Sequence, residues 1–515
     1  MNGAESMLQT LVNNGVEVCF ANPGTSEMHM VAAMGKSDQI RSILCLFEGV
    51  CSGAADGYGR MAGKPACTLL HLGPGLSNAS ANLHNAKKAG SPVINLVGDH
   101  ATYHKQFNAP LTSDILSLAR PVSDWLQVAS SAAELPGSAA DAVYAANAKP
   151  GQVATLIVPA DAAWDSSINP LATQTLPAIP KVDNQAITGA ARLLTNPKST
   201  ILFLGNMALT ERALKFADQI VQATGVKLLS DTFIPRLARG EGRCSVERLG
   251  YFAEQAEEQV GGINQWVMVG TKAPVAFFAY PGKSSELYPE GSTLHTLAQM
   301  NEDAEDALQR LVIELDASSF EPRKKVKNKP EPGIGELNPV SLANSFAHYL
   351  PRDAIVVDEG ATAGGLCGPF SESAERHDWL GLTGGSIGYG LPAAIGAAIA
   401  CPARKVVCIH GDGGAMYTIQ SLWTMARENL DICVVILANR KYQILQLELS
   451  RVGAESVNDK TLEMMDLGNP DLNFVELAKG MGVSASRAET AEQFNEQYAA
   501  AMKKSGPQLI EAVMP

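Results

Sequence analysis

The sequence lacks a long hydrophobic run. No stretch of its 515 residues approaches the roughly 20 apolar side chains of a membrane-spanning helix, so no membrane partner is expected. The opening segment, MNGAESMLQTLVNNGVEVCF, has neither the basic start nor the apolar core of a secretory signal. It predicts an amphipathic helix followed by a strand, and we expect a cytoplasmic protein.

Excess positive charge is missing as well. The chain carries 40 Lys and Arg against 53 Asp and Glu, a formal net charge of −13. A nucleic-acid partner is not expected, because such a partner requires a basic surface that neutralises phosphates. A small anionic ligand stays compatible with this charge, since it needs only a local positive potential.

Two further signatures are absent. The nine cysteines show no Cys-x-x-Cys spacing and mostly lie in apolar runs, which predicts buried free thiols. No GxxxxGK[ST] motif occurs, so a P-loop nucleotide hydrolase is not predicted.

What the chain does have is a repeated alternation of short apolar strands and Ala-rich helices. A chain of this length is too long for a single core. Proline-rich stretches at 166–184 and 321–339 read as linkers between three such segments. The fold class predicted is therefore α/β, with three doubly wound parallel-sheet domains, and the predicted domains span 1–165, 185–320 and 335–515.

Two polar residues follow neighbouring apolar runs in the third segment. Asp412 comes after KVVCIHG, and Asn439 comes directly after ICVVILA. The carboxyl ends of parallel strands meet at one edge of a sheet, where the glycines beside Asp412 leave room for a ligand. The next segment, AMYTIQSLWTMARE, predicts one amphipathic helix whose N-terminus attracts an anion. A carboxylate, an amide, a carbonyl and a diphosphate would satisfy Mg²⁺, although a tight Gly-Asp-Gly turn beside an unrelated Asn is the simpler alternative.

The segment GDGGAMYTI…LANRKY resembles the cofactor motif of the thiamin-diphosphate (ThDP) dependent 2-oxo-acid decarboxylase and acetolactate synthase superfamily. This resemblance implies ThDP and Mg²⁺ as cofactors, with Asp412, Asn439 and the Lys441 carbonyl as metal ligands. Ala438 stands where relatives have the first of two asparagines, and the ligating position is the second. The resemblance also implies cofactor contacts from Asn22, Pro23, Gly24, Thr362, Gly385, Ile387, Gly411, Gly413, Gly414 and Tyr442.

Glu48 follows the strand-like run SILCLF and begins a predicted helix with apolar neighbours. A first-turn glutamate favoured by the helix dipole is the simpler alternative. In apolar surroundings we expect burial to raise its pKa toward neutrality. FEGVCSGAADGYGR resembles the family segment whose glutamate bonds the cofactor pyrimidine and activates it. In that family this glutamate and the metal site come from different subunits, which implies a homodimer at minimum, with a homotetramer expected.

The loops FANPGTSE and LLHLGPG resemble benzoylformate decarboxylase more than pyruvate decarboxylase. The resemblance places Thr25 beside the substrate carboxylate and makes His71 a general acid or base. The segment KAPVAFFAYPG carries Phe278 and Tyr280 where that enzyme has a second histidine. Leu445 stands where pyruvate decarboxylases have a glutamate, so these three residues are expected in the substrate pocket.

The resemblance implies non-oxidative decarboxylation of a 2-oxo acid to an aldehyde, with carboligation as a side or main activity. Flavin-binding sequences are not recognisable in the middle segment, so FAD is not expected. The alternatives are an acetolactate-synthase-like carboligase or a lyase for 2-hydroxy ketones or acyl-CoA derivatives. A non-catalytic protein that binds ThDP, or a partner subunit, is the alternative from another class.

Overall fold

Three parallel sheets make up the chain in the computed structural model, which describes residues 1–172, 175–454 and 457–515. Residues 173–174 of the predicted linker at 166–184 lie outside the described residues. No helix within the described ranges is long and apolar enough to cross a membrane. All nine cysteines are free thiols, and eight of them are buried, as the apolar runs around them predicted.

The first sheet has six parallel strands in the order β2-β1-β3-β4-β6-β5. Its strands are β1 Val18–Asn22, β2 Arg41–Leu44, β3 Ala66–Leu70, β4 Val93–Asp99, β5 Trp125–Val128 and β6 Val153–Pro159. The helices are α1 Gly3–Asn13, α2 Met28–Gly35, α3 Glu48–Ala62, α4 Leu72–Ala89, α5 Ile115–Ala119, α6 Leu135–Asn147 and α7 Ala160–Trp164. Every residue of β3, β4 and β6 is buried, which is typical of a parallel sheet covered on both faces.

The middle sheet has five parallel strands in the order β10-β8-β7-β11-β12. Its strands are β7 Thr200–Leu204, β8 Lys227–Ser230, β10 Glu247–Arg248, β11 Gln265–Val269 and β12 Thr293–Ala298. Its helices are α8 Asn184–Leu194, α9 Glu211–Thr224, α10 Ala253–Gln259 and α11 Ala304–Glu314. One strand of this segment, β9 Leu237–Arg239, is not part of the middle sheet and pairs with a strand of the third sheet.

The third sheet has the order β17-β18-β16-β15-β13-β14-β9 and is parallel except at β9, which pairs antiparallel with β14. Its own strands are β13 Ala354–Glu359, β14 His377–Gly381, β15 Val406–Gly411, β16 Ile432–Ala438, β17 Ser484–Ala488 and β18 Gln508–Val513. Its helices are α12 Pro339–Tyr349, α13 Ala361–Gly364, α14 Cys367–Phe370, α15 Gly390–Ala400, α16 Asp412–Ala415, α17 Ser421–Arg427, α18 Gln443–Arg451, α19 Asp459–Glu463, α20 Phe474–Gly480 and α21 Ala491–Lys503.

The predicted fold class of three parallel α/β sheets is thus confirmed, with β9 as an antiparallel addition that the sequence did not indicate. The domain boundaries at 1–165, 185–320 and 335–515 stay a prediction. The single helix predicted for AMYTIQSLWTMARE is wrong, because turns at 416–420 separate α16 from α17. The buried Thr418 hydroxyl donates a 2.9 Å hydrogen bond to the Gly388 carbonyl, which holds this turn against another loop.

The first and third sheets are joined through α3 and α15, whose backbones touch. A Cβ atom on Gly57 would overlap the carbonyl of Ala393, and one on Gly396 would overlap the carbonyl of Ala54. The buried Arg60 of α3 adds a 2.7 Å hydrogen bond from its guanidinium to the Gly381 carbonyl of β14. Glycine is required here for space, since any side chain would force the two helices apart.

We therefore expect Gly57→Ala to lower the melting temperature, because overpacking a buried contact costs about 1–3 kcal/mol of unfolding free energy. Gly137 in α6 is the matched control, since a Cβ there meets no atom within 4 Å. Gly137→Ala should melt at or slightly above the wild-type temperature in the same thermal scan. A Gly57→Ala protein that melts with the control would contradict the close α3–α15 contact.

Candidate active site

The residues predicted for the metal site lie at the carboxyl edge of the third sheet. β15 pairs in parallel with β16 up to Gly411 and Leu437, so Asp412 and Asn439 follow adjacent strand ends. Asp412 is buried, and its carboxylate accepts hydrogen bonds from the N–H groups of Gly413 at 2.8 Å and Arg440 at 2.6 Å. Asp412 thereby fixes the loop after β16 against the loop after β15.

The oxygen atoms at this edge suit a cation that takes its remaining ligands from a bound molecule. Asp412 supplies a carboxylate, and burial raises the pKa of this group. Asn439 supplies an amide, whose N–H donates a 3.1 Å hydrogen bond to the side-chain oxygen of Gln443. No group of three or more His, Cys, Asp or Glu in the described ranges is arranged to hold a metal alone. One carboxylate, one amide and the nearby Lys441 carbonyl fit Mg²⁺ shared with phosphate oxygens.

The glycines after Asp412 let neighbouring side chains pack directly against the backbone. A Cβ on Gly413 would overlap the ring of Tyr442, and a Cβ on Gly414 would lie 2.7 Å from a carboxylate oxygen of Glu359. Gly411 has more room, since its nearest neighbour is the Glu359 carbonyl at 3.8 Å. Glycine is therefore required at 413 and 414 for packing, and the diphosphate contacts predicted for these glycines stay a prediction.

Glu359 is a central residue that the sequence analysis missed. It ends β13, and its buried carboxylate accepts 2.7 Å hydrogen bonds from the N–H groups of Gly388, Tyr389 and Gly390. The Nε2 atom of His410 lies 3.2 Å away. Burial disfavours the charged form of both side chains. The attraction between them outweighs this effect, since it lowers the pKa of Glu359 and raises the pKa of His410. The sequence pattern that could have identified Glu359 is a carboxylate residue between a buried strand and a glycine, which is the same pattern that marks Asp412.

The loop between β14 and α15 carries two further predicted cofactor residues. Gly385 has φ +74° and packs against Phe277, whose Cζ atom would lie 2.5 Å from a Cβ at this position. Ile387 is half-buried in the same loop. Asn85 of α4 bonds both backbone groups of Ser386, which ties the loop to the first domain. Thr362 lies in α13, directly after β13, at the same edge of the sheet.

We expect Glu359→Gln to loosen the loop at 388–390. The substituted side chain would keep the shape but lose the charge that pairs with His410, a change of about 1–3 kcal/mol in unfolding free energy. Native-state hydrogen exchange should show the amides of Gly388, Tyr389 and Gly390 exchanging about tenfold faster. The control is Glu336→Gln, an exposed glutamate of the same domain. Unchanged protection at these three amides would show that Glu359 does not hold the loop.

The first domain contributes a second group of predicted residues. Glu48 begins α3, is only 8% exposed, and accepts a 3.0 Å hydrogen bond from the Asn78 amide. A Cβ on Gly75 would lie 3.0 Å from its other carboxylate oxygen. The Glu48 carboxylate is thus held in one position by α4, at the carboxyl edge of the first sheet.

His71 lies at the same edge and is positioned by a second missed residue, Glu27. The Nδ1 atom of His71 lies 2.7 Å from the Glu27 carboxylate, which also accepts the Gly24 N–H at 2.7 Å. Glu27 is fully buried, and burial raises its pKa although the neighbouring His71 works against this. A Cβ on Gly24 would overlap the His71 ring, so this glycine is required. The sequence pattern that could have identified Glu27 is a glutamate three residues after the glycine in NPGTSE.

The remaining predicted residues of this domain surround that pair. Asn22 ends β1, and its amide donates a 2.9 Å hydrogen bond to the Cys45 carbonyl. Pro23 follows it and is half-buried, whereas Thr25 is exposed at the start of a 3₁₀ turn. These residues reach the surface at the same sheet edge as His71, since Asn22 and Leu70 are register partners.

Over the described ranges, no hydrogen bond or ion pair joins Glu48 or His71 to Asp412, Asn439 or Thr362. Each group ends at the protein surface, where apolar side chains are exposed. Leu46 beside Glu48, Tyr417 beyond α16 and Leu445 in α18 are each about half exposed.

The three residues predicted for the substrate pocket come from two domains. Phe278 and Tyr280 lie in the loop after β11, and Leu445 lies in α18. Phe278 packs edge-on against Phe277 at 4.6 Å between centroids. The guanidinium of Arg451 in α18 lies 5.4 Å from the Tyr280 ring, so the middle and third domains touch at this point.

Comparison with known proteins agrees with this geometry. The thiamine pyrophosphate (another name for ThDP) enzyme N-terminal TPP binding domain matches residues 1–118, and its C-terminal TPP binding domain matches residues 367–512. The chain is 47% identical over 516 residues to the Mycobacterium tuberculosis protein named "Putative acetolactate synthase large subunit IlvX", covering 100% of this chain and 99% of that protein.

More distant relatives span the chain equally well. Benzoylformate decarboxylase of Pseudomonas aeruginosa is 27% identical over 534 residues, covering 98% of this chain and 97% of its own length. A solved Rhodococcus jostii RHA1 structure, the thiamine diphosphate-dependent 4-hydroxybenzoylformate decarboxylase, superposes with a TM-score of 0.86. It is 23% identical and covers 99% of this chain and 98% of that chain, which shows a shared fold.

Both ThDP-binding domains and the full-length relative at 47% identity lead to one conclusion. The chain is an enzyme of the ThDP-dependent family that contains the acetolactate synthases and the benzoylformate decarboxylases.

Proposed function

We propose that the protein is a ThDP- and Mg²⁺-dependent enzyme that removes CO₂ from a 2-oxo acid and releases an aldehyde or a 2-hydroxy ketone. The observation that carries this proposal is the loop pair at Asp412, where a buried carboxylate holds the Asn439 loop beside a glycine cradle. Asp412, Asn439 and the Lys441 carbonyl would hold the metal, and Gly413, Gly414 and Thr362 would face the diphosphate.

ThDP, when bound, supplies a carbon nucleophile and an electron sink for the departing CO₂. Glu48 would donate and accept a proton at the pyrimidine end of the cofactor, and its buried carboxylate is held in place by the Asn78 amide. Gly385 and Ile387 orient the cofactor from the opposite domain. FAD has no part in this proposal.

His71 is proposed as the group that moves a proton at the substrate oxygen or carbon. Its Nδ1 atom is engaged by Glu27, which leaves Nε2 to face the substrate. The His71 side chain is 23% exposed, so it reaches the surface at the open edge of the site. Thr25, exposed in the loop that also carries Glu27, is proposed to contact the substrate carboxylate.

We further propose that two chains complete each active site, giving a homodimer at minimum and a homotetramer as the larger assembly. Support comes from the lack of any hydrogen bond or ion pair between Glu48 and Asp412 over the described ranges, and from the exposed apolar side chains near each. Covering Leu46, Tyr417 and Leu445 with a second copy would remove apolar surface from water and close the site.

A carboligase of the acetolactate synthase type is the second candidate. It is favoured by the 47% identity to a relative whose printed name is that of an acetolactate synthase large subunit. In this case a second carbonyl compound replaces the proton at the final step. Leu445 and Phe278, both exposed, leave an apolar entrance that suits either acceptor.

Product analysis distinguishes the two candidates. We expect the reconstituted protein to release CO₂ from at least one 2-oxo acid and to form the corresponding aldehyde as the larger product. A mass balance of CO₂, aldehyde and 2-hydroxy ketone over a panel of aliphatic and aryl 2-oxo acids measures this. A 2-hydroxy ketone in large excess would favour the carboligase, and absence of CO₂ from every acid would contradict both.

Activation of the cofactor gives a test that needs no substrate. We expect Glu48→Gln to slow hydrogen–deuterium exchange at the cofactor C2 position by about 10²-fold or more, since proton transfer loses its acid. ThDP binding, followed by fluorescence titration, should be retained. Glu17→Gln is the control, because Glu17 is exposed in the same domain. Wild-type exchange in the Glu48→Gln protein would overturn the role proposed for Glu48.

A further inference from the structure

Two arginines lie side by side where the middle sheet meets the third. Arg239 ends β9, and Arg248 ends β10. The point where a Cβ atom of Gly368 would stand lies 3.6 Å from Nη1 of Arg239 and 3.4 Å from Nη2 of Arg248. Because glycine has no side chain, both guanidinium groups reach the same unfilled point beside α14.

Neither of these positive charges is neutralised by a direct contact. The Arg239 guanidinium donates a 2.7 Å hydrogen bond to the Gly368 carbonyl and lies over the Trp379 ring at 5.1 Å. Its Nε atom is shielded from solvent and has no hydrogen-bond partner among the described residues. The Arg248 guanidinium makes neither an ion pair nor a hydrogen bond with any part of the chain that the structure describes. Both cations therefore lack a contacting anion.

The carboxylates nearest to this pair are bonded to other groups. Asp358 accepts hydrogen bonds from a backbone N–H at 3.0 Å and from the Trp379 indole at 3.2 Å. Burial raises the pKa of Asp358, although the positive charge of Arg248 acts in the opposite direction. Glu372 is held by a hydroxyl group and by the ammonium group of Lys325 at 3.1 Å. These two carboxylates act on the arginines only from a distance.

The two guanidinium groups repel each other. Burial and the neighbouring Arg248 lower the pKa of Arg239 to about 10. Like charges interact more strongly here than in water, because protein lowers the local dielectric constant. Guanidinium groups bind oxyanions through parallel N–H donors, and such charge-assisted hydrogen bonds are among the strongest in proteins. An oxyanion between Arg239 and Arg248 would replace this repulsion with two attractions.

We propose that Arg239, Arg248 and the α14 backbone at Gly368 form a binding site for a phosphate-class dianion, either free or as a monoester of a small molecule. Two positive charges match a dianion, and several phosphate oxygens allow contacts with both guanidinium groups. Arg248 is half-buried, so the site opens to solvent on its side. The bound anion would hold β10, the edge strand of the middle sheet, against α14. This site does not depend on the function proposed above.

Thermal melting in the presence of ThDP and Mg²⁺ tests the site, since the cofactor then occupies the other predicted phosphate position. Melting temperatures are compared in sodium phosphate and in sodium chloride of equal ionic strength. We expect phosphate to raise the wild-type melting temperature by about 2 °C or more above chloride, because a ligand of the folded state stabilises it. Glycerol 3-phosphate is the second probe. Stabilisation by both probes identifies a site that accepts monoesters, and stabilisation by phosphate alone identifies a site for the free ion.

Two variants locate the effect at the arginine pair. Arg248→Gln removes one cation, whereas Gly368→Ala places a methyl group between the cations and keeps both charges. The methyl group fits, because the nearest atoms would lie between 3.4 and 3.8 Å from it. The affinity for phosphate, measured by calorimetry with the cofactor present, should fall about tenfold or more in each variant. In chloride, Arg248→Gln should melt at or above the wild-type temperature, since the repulsion is gone.

Each variant has a matched control. Arg212→Gln removes an exposed cation of the middle domain, and Gly365→Ala adds a methyl group just before α14, with the nearest atoms at 3.5 and 3.7 Å. Both controls should keep the wild-type affinity for phosphate. If Arg248→Gln does not fold, Arg248→Lys replaces it, because lysine keeps the charge and loses the paired donors.

Two results would overturn the inference. One is equal melting of the wild type in phosphate and chloride. The other is an unchanged affinity for phosphate in both Arg248→Gln and Gly368→Ala, which would identify an adventitious ion only, bound elsewhere on the protein.

Discussion

The backbone contact between α3 and α15 sets the positions of both halves of the active site. Glu48 is the first residue of α3, and α15 begins at Gly390, directly after the loop that carries Gly385. Because glycine at 57 and 396 lets the two helices touch, neither end can shift without the other. Within the described part of one chain, no hydrogen bond or ion pair joins Glu48 to Asp412. We propose that a second copy brings the glutamate and the metal site together.

Buried carboxylates near strand ends hold loops in place at three points of this fold. Asp412, Glu359 and Glu27 each accept hydrogen bonds from backbone N–H groups of a loop that carries proposed cofactor or substrate contacts. A buried charge is costly, and several N–H donors offset that cost only when the loop adopts one conformation. The chain thus orders three loops before any ligand arrives.

The sequence predicted those parts of the site whose positions depend only on neighbouring strands. Asp412 and Asn439 follow consecutive strands of a parallel sheet, so their proximity could be inferred from pattern alone. Glu359 and Glu27 were missed because their roles depend on partners distant in the chain, which are the N–H groups at 388–390 for Glu359 and the His71 ring for Glu27. The antiparallel strand β9 and the turn between α16 and α17 are set by tertiary contacts, such as that of Thr418 with Gly388. The approach of Arg239 and Arg248 to Gly368 joins two sheets and has no local signal.

The central claim is that two copies of the chain build each active site, and subunit complementation tests it most directly. Glu48→Gln and Asp412→Ala proteins, each inactive alone, are mixed in equal amounts, dissociated and reassociated. Half of the sites in a mixed dimer then combine both intact residues, and we expect about one quarter of wild-type CO₂ release. A mixture no more active than the two variants measured separately would contradict the account.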